Sequence, residues 1–117
     1  MAVTEHAEAV TRITRDELKS GLDQKRPIAL VEALGPEQVR EGHLPGAVNI
    51  PPDRVRERAP TLLPDKHQEI VVYCANVACH ASGDVARELT RLGYDRVSHY
   101  AGGKADWRAA GFPIERT

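Results

Sequence analysis

Apolar residues fall in short dense runs separated by stretches of helical spacing, and this alternation sets the fold class. Ile70-Val71-Val72-Tyr73 is the strongest run. Four consecutive β-favouring residues fit a strand buried on both faces, as found inside a parallel sheet. Ile28-Ala29-Leu30-Val31, ending at Glu32, is a second buried-strand candidate, and Arg96-Val97-Ser98-His99-Tyr100 is a third. Arg12-Ile13-Thr14 fits a short edge strand. Between Gly42 and Pro51, turn formers flank a very short apolar stretch, the pattern of a tight turn feeding a brief strand.

Helical segments lie between these runs. Thr14 with Glu17 three residues later makes a capping box for a helix through Leu18 and Leu22, whose last turn Gly21 weakens. Pro36 opens a short helix through Val39 and Glu41. From Pro52 to Pro64, Val55, Leu62 and Leu63 are set among Asp53, Arg54, Arg56, Glu57 and Arg58, which reads as a surface helix or turn with a solvated charged face. Ser82 is an N-cap type, and Val85, Ala86, Leu89 and Leu92 form an apolar stripe that stops at Gly93, with Asp84 in the first turn. Ala101-Gly102-Gly103 bends the chain into a last helix from Lys104 to Ala110, with Trp107 turned inward. Strands alternating with helices predict an α/β domain, a mostly parallel sheet flanked by helices on both faces.

Size and charge narrow the picture. A chain of 117 residues is long enough for one core and too short for two ordinary domains, so the expected organisation is a flexible N-terminus over residues 1–10 and a single domain over 11–117. The 16 basic and 17 acidic side chains nearly cancel, and neither sign forms a long block, so neither nucleic acid nor a membrane surface is expected as a partner. No apolar run approaches the ~20 residues that cross a bilayer. Two closely spaced cysteines do not make a secreted disulfide framework, and the polar start Met1-Ala2-Val3-Thr4-Glu5-His6 lacks a signal core, so a cytoplasmic location is expected.

The candidate chemistry sits after the strongest strand. That strand delivers Cys74 to its carboxyl end, where ligands collect in open α/β sheets. Unpaired N–H groups of the following helix, and of the loop Ala75-Asn76-Val77-Ala78-Cys79-His80-Ala81-Ser82, favour a thiolate or bound anion and lower the thiol pKa below its free value of ~8.5. Cys74 is therefore the candidate nucleophile, against the plainer reading of an ordinary buried cysteine. Cys79 is a spectator, a resolving thiol or a metal ligand. Its spacing from Cys74 permits a disulfide without requiring one. Cys74, Cys79 and His80 lack a clear fourth ligand and match no structural zinc pattern, so no metal is expected. His80 is either solvated or, when protonated, an anion contact, and His43 reads as a turn residue bonded to backbone.

Taken in order, several motifs resemble those of the rhodanese-like (sulfurtransferase) domain family. They are Glu41-Gly42-His43-Leu44-Pro45-Gly46-Ala47 with Asn49-Ile50-Pro51, the strand Ile70-Val71-Val72-Tyr73-Cys74, the segment Leu89 to Tyr94, and Gly102-Gly103 with Trp107 and Gly111-Phe112-Pro113. The resemblance spans residues 12 to 115. It implies a rhodanese-like three-layer fold around a five-stranded mostly parallel sheet. It also implies a sulfurtransferase without a cofactor, in which Cys74 takes a sulfane sulfur from a small donor such as thiosulfate, holds it as a persulfide and passes it to a thiol or protein acceptor. The expected state is a monomer or weak homodimer.

Three departures from the family pattern stand out. Glu32-Ala33-Leu34 replaces the usual Asp-x-Arg, so a structural ion pair is missing or rearranged. The loop from Cys74 to Ser82 is about two residues longer than the common one if Ser82 starts the helix. The arginine late in the loop is absent, the positions there being Cys79, His80 and Ala81, and no arginine follows Cys74 until Arg87. Anion holding is then left to backbone N–H groups and protonated His80, thiosulfate is expected to be a poor donor, and phosphatase-type chemistry, which needs that guanidinium, is disfavoured. Two other functions stay open: a thiol-redox protein cycling through a Cys74/Cys79 disulfide, and a catalytically idle binding or regulatory module on the same fold.

Overall fold

The computed structural model describes residues 10–116. Its strands are β1 (Thr11–Arg12), β2 (Ile28–Glu32), β3 (Val48–Asn49), β4 (Glu69–Tyr73) and β5 (Val97–Tyr100). They form one sheet in the order β1-β5-β4-β2-β3, with every neighbouring pair parallel. The helices are α1 (Arg15–Asp23), α2 (Pro36–Glu41), α3 (Val55–Leu62), α4 (Ala81–Arg91) and α5 (Gly103–Ala109), with a 3₁₀ turn at Pro52–Arg54. The expected flexible segment lies outside the described residues except for Val10, which packs against one of the two core clusters.

The central place of β4 follows from its composition. Ile70, Val71, Val72 and Tyr73 are all fully buried, which only a strand covered on both faces allows. Alternation sends Ile70 and Val72 to one face, where Val55 and Ala59 of α3 and Val85, Ala86 and Leu89 of α4 meet them. Val71 and Tyr73 point to the other, against Leu18 of α1, Tyr100 of β5 and Trp107 of α5. Each such aliphatic side chain contributes about 1.5–3 kcal/mol on burial. The Trp107 indole N–H donates to the Pro113 carbonyl at 2.8 Å.

Local signals account for most boundaries. The capping box at Thr14 and Glu17 is formed in both directions. Gly21 does more than weaken α1: it is buried, and a Cβ there would stand 2.9 Å from the Arg26 guanidinium carbon and 3.0 Å from Ile28. In α3 the inward residues are Val55 and Ala59, with Leu63 just beyond, while Leu62 is 40% exposed. His43 holds its turn as expected, its Nδ1 lying 2.9 Å from the Val39 carbonyl.

The ion pair that the Asp-x-Arg pattern would have supplied is rearranged. Glu32, fully buried at the end of β2, meets the ammonium of Lys104 at 2.8 Å. Lys104 Nζ also donates to the carbonyls of Gly42 at 2.8 Å and Gln38 at 3.1 Å. The other Glu32 oxygen accepts from the Tyr73 hydroxyl at 2.7 Å, and that hydroxyl accepts from the Leu44 N–H at 3.0 Å. Among the described residues no buried side-chain nitrogen or oxygen lacks a partner. A charge this deep persists only when so satisfied. Burial, and next the Glu32 carboxylate, push the Tyr73 phenol far up, so it serves as a permanent donor.

Candidate active site

β4 ends at Tyr73, and the chain leaves the middle of the sheet at its carboxyl edge through Cys74. Here the structure departs from the expectation of Cys74 as a free, nucleophilic thiolate. Cys74 is 1% exposed and disulfide-bonded to Cys79, with 6.2 Å between their Cα atoms. The loop builds this closure itself. Asn76 accepts the Ala78 N–H on its side-chain oxygen at 3.0 Å and the Cys79 N–H on its carbonyl at 3.1 Å. These two bonds curl the chain so that Cys79 returns over Cys74, a turn that asparagine favours. Val77 is left at the tip, 78% exposed.

The root of the loop is held from below. The carbonyls of Cys74 and Ala75 accept the N–H groups of Lys104 and Ala105 at 2.9 and 2.8 Å, so the start of α5 is clamped to the first residues of the loop. Gly103 makes the approach possible. Its φ is +65°, and a Cβ there would collide with the Cys74 carbonyl oxygen and lie 3.0 Å from the Ala75 carbonyl carbon. Lys104 thus joins the buried Glu32 network to the cysteine loop through its own backbone.

The helix after the loop starts one residue earlier than Ser82. Its N-cap is His80, without a side-chain cap bond, and its first residue is Ala81. Ser82 is buried inside the first turn, because its hydroxyl is engaged elsewhere: Oγ lies 2.7 Å from Nε2 of His99 on β5. The loop is correspondingly shorter than the sequence reading made it. Among its predicted members, Asn76, Val77, Ala78 and His80 are exposed, Ala75, Cys79 and Ala81 are partly buried, and Ser82 faces the sheet.

Next to Cys79 opens a cleft of about 340 Å³ lined by Arg12, His80, Gly83, Arg87 and His99. Arg12 and His99 arrive there because β1 pairs with β5 in a register that sets them opposite each other, and partners in a parallel pair share a face. Arg87 comes from the second turn of α4 and is steered by Asp84, whose carboxylate accepts its Nη2 at 2.6 Å. Burial, and then the positive charges of Arg12 and Arg87, push the His99 imidazole below its ordinary value. It is a neutral partner for Ser82 at pH 7, while two guanidinium groups line the cleft, that of Arg87 ion-paired with Asp84.

Of the cleft residues, His80 stood in the sequence reading as a loop anion contact, whereas Arg12, Gly83, Arg87 and His99 did not, since that reading placed anion contacts only in the loop and noted how far along the chain Arg87 lies. Helical spacing was the one available signal, since positions 80, 83, 84 and 87 share a side of α4. Arg12 and His99 lie far apart along the chain and meet only through the order of strands. What the arrangement offers chemically is a disulfide-paired cysteine at a strand end, its partner lining a cleft that also holds two guanidinium groups.

Comparison with known proteins agrees with this architecture. The sequence profile of the Rhodanese-like domain family matches residues 14–110. The chain is 42% identical over 76 residues to thiosulfate sulfurtransferase PspE of Escherichia coli strain K12, a match covering 65% of this chain and 70% of that protein. It is 28% identical over 105 residues to a sulfurtransferase of Allochromatium vinosum, covering 90% of this chain and 94% of the relative. In two other relatives the match takes up only 38% and 54% of the longer chain. Among solved structures, the BH2092 protein of Bacillus halodurans superposes with a TM-score of 0.83 at 25% identity, covering 99% of this chain and 82% of that one. The five-stranded α/β fold is shared with rhodanese-like neighbours. With a profile that runs from the capping box of α1 to the end of α5 and a relative of this similarity, the chain belongs to the rhodanese-like domain family.

Proposed function

We propose that this protein is a sulfurtransferase that accepts a sulfane sulfur on Cys74 and passes it to a thiol or protein acceptor. The observation that carries the reading is the position of Cys74 at the carboxyl end of the central strand, bonded to Cys79, which lines the cleft of Arg12 and Arg87. The similarity to a protein named thiosulfate sulfurtransferase supports thiosulfate as the donor.

Turnover begins with reduction of the Cys74–Cys79 pair by a thiol, which a reducing cytoplasm supplies. The freed Cys74 thiolate attacks the sulfane sulfur, the sulfur–sulfur bond of thiosulfate breaks, and sulfite leaves with the electron pair. Arg12 and Arg87, which line the cleft at Cys79, hold the oxyanion before and after this step in place of the arginine the loop lacks. Unpaired N–H groups at the start of α4 stabilise the thiolate and the persulfide that replaces it. The acceptor then attacks the outer sulfur, and Cys74 departs as thiolate.

The test is sulfite release from thiosulfate by the pre-reduced protein, with cyanide as acceptor. Cys74→Ser abolishes it. Arg12→Ala and Arg87→Ala each raise KM for thiosulfate about tenfold, equivalent to about 1.4 kcal/mol of binding. Activity that survives Cys74→Ser rejects the nucleophile.

A further inference from the structure

We infer that Cys79 diverts the persulfide on Cys74 to release free sulfide, making the protein a thiol-driven, sulfide-producing reductase of sulfane sulfur. The inference rests on the sulfurtransferase reading above, because it needs a persulfide on Cys74. Its own observation is the pairing of the two sulfurs. Cys79 is bonded to Cys74 with a Cα separation of 6.2 Å, inside the range of about 4.4–6.8 Å that disulfides use. The loop holds that approach with two hydrogen bonds that Asn76 accepts, from the Ala78 and Cys79 N–H groups.

Access favours the internal thiol over an external one. Cys74 is almost fully buried under the loop, so an acceptor from solution must work past Ala75 to Cys79. Cys79 needs no such path, since its line of attack on the Cys74 sulfur is the one the disulfide already occupies. A group held at the reacting atom enjoys a large effective concentration over a dissolved competitor. Cys79 also borders the cleft lined by Arg12 and Arg87, so the anions released there meet guanidinium groups.

The step balances without any further oxidant. The Cys79 thiolate attacks Sγ of Cys74, the bond between Sγ and the outer sulfur breaks, and that sulfur leaves as hydrosulfide with the electron pair. Hydrogen sulfide is more acidic than a cysteine thiol, so the outer sulfur is the better leaving group. The sum over both half-reactions is thiosulfate plus two cysteine thiols giving sulfite, hydrogen sulfide and the Cys74–Cys79 disulfide. The two electrons that reduce the sulfane sulfur come from the cysteine pair, and an external dithiol restores them.

A single turnover decides the matter. Reduced protein, stripped of reductant, receives one equivalent of thiosulfate and no acceptor. In the wild type, sulfite and about one equivalent of sulfide appear, and the chain mass falls by about 2 Da as the disulfide closes. Cys79→Ala and, as a second variant, Cys79→Ser release sulfite but hold the sulfur, gaining about 32 Da and giving at least tenfold less sulfide until a thiol is added. Sulfide at the wild-type level from both variants overturns the inference, as does a wild type that keeps the extra sulfur. If neither variant gains sulfur or releases sulfite, the persulfide itself is refuted, and both readings fall together.

Discussion

Replacing Lys104 by methionine tests the network that ties the cysteine loop to the core. The ammonium donates three hydrogen bonds, at 2.8 Å to Glu32, 2.8 Å to Gly42 and 3.1 Å to Gln38. Its side chain is 9% exposed and that of Glu32 0%, so water cannot replace what is lost. Lys104→Met leaves a buried carboxylate with the Tyr73 hydroxyl as its remaining donor, and two backbone carbonyls short of a partner. Removing one member of a buried pair costs about 3–5 kcal/mol. That is a large share of the roughly 5–15 kcal/mol that holds a domain together. At about 4 °C per kcal/mol for a chain of this size, the melting temperature drops by about 12–20 °C. Glu32→Met together with Lys104→Met removes both charges and fills the space with apolar atoms, so the double variant recovers much of the loss. Urea denaturation of the wild type, the Lys104 single variant and the double variant at pH 7 measures this. A single variant that loses less than about 1 kcal/mol, or a double variant less stable than the single, refutes the account of Glu32 as a charge that depends on Lys104.

Two further outcomes follow from the site. Gly103→Ala puts a Cβ against the Cys74 carbonyl in a backbone region that costs about 1–2 kcal/mol for a side chain, and the forced shift adds about 1–3 kcal/mol, so both thermal stability and single-turnover sulfite release fall, whereas wild-type values in melts and rapid quench exclude the contact. His99 is held below its ordinary value by burial and by Arg12 and Arg87, so between the two states the unfolded chain binds the extra proton. Its contribution to stability is therefore whole above the ordinary imidazole range near ~6.5 and is lost as pH falls below it. Thermal melts from pH 7.5 down to 5 show a steeper decline for the wild type than for His99→Gln, and parallel profiles argue against a neutral His99 in the Ser82 pair.

The sequence carried the architecture because its signals are local. Four β-favouring residues in Ile70–Tyr73, the Thr14 and Glu17 capping box, and the stripe Val85, Ala86, Leu89 each report on neighbours within a turn or a strand, and each element formed where they pointed. Cys74 was marked in the same way, since the end of a buried strand is a position along the chain. Ser82 misled for a related reason: it has the chemistry of an N-cap, but a partner 17 residues on, His99, claimed its hydroxyl. A local preference worth about 1 kcal/mol yields readily to a tertiary contact.

What the chain determined by itself was the succession of strands and helices along it, one core on each side of a parallel sheet, and a cysteine at the carboxyl end of its central strand. The tertiary structure alone decided the electrostatics around that cysteine. Arg12 meets His99 through strand register, and Lys104 finds Glu32 across 72 positions. Closure of the loop over Cys74 depends equally on how Asn76 folds back and where α5 docks. Charge interactions and solvent access are properties of distance in space, and spacing along the chain does not encode them until the sheet has assembled.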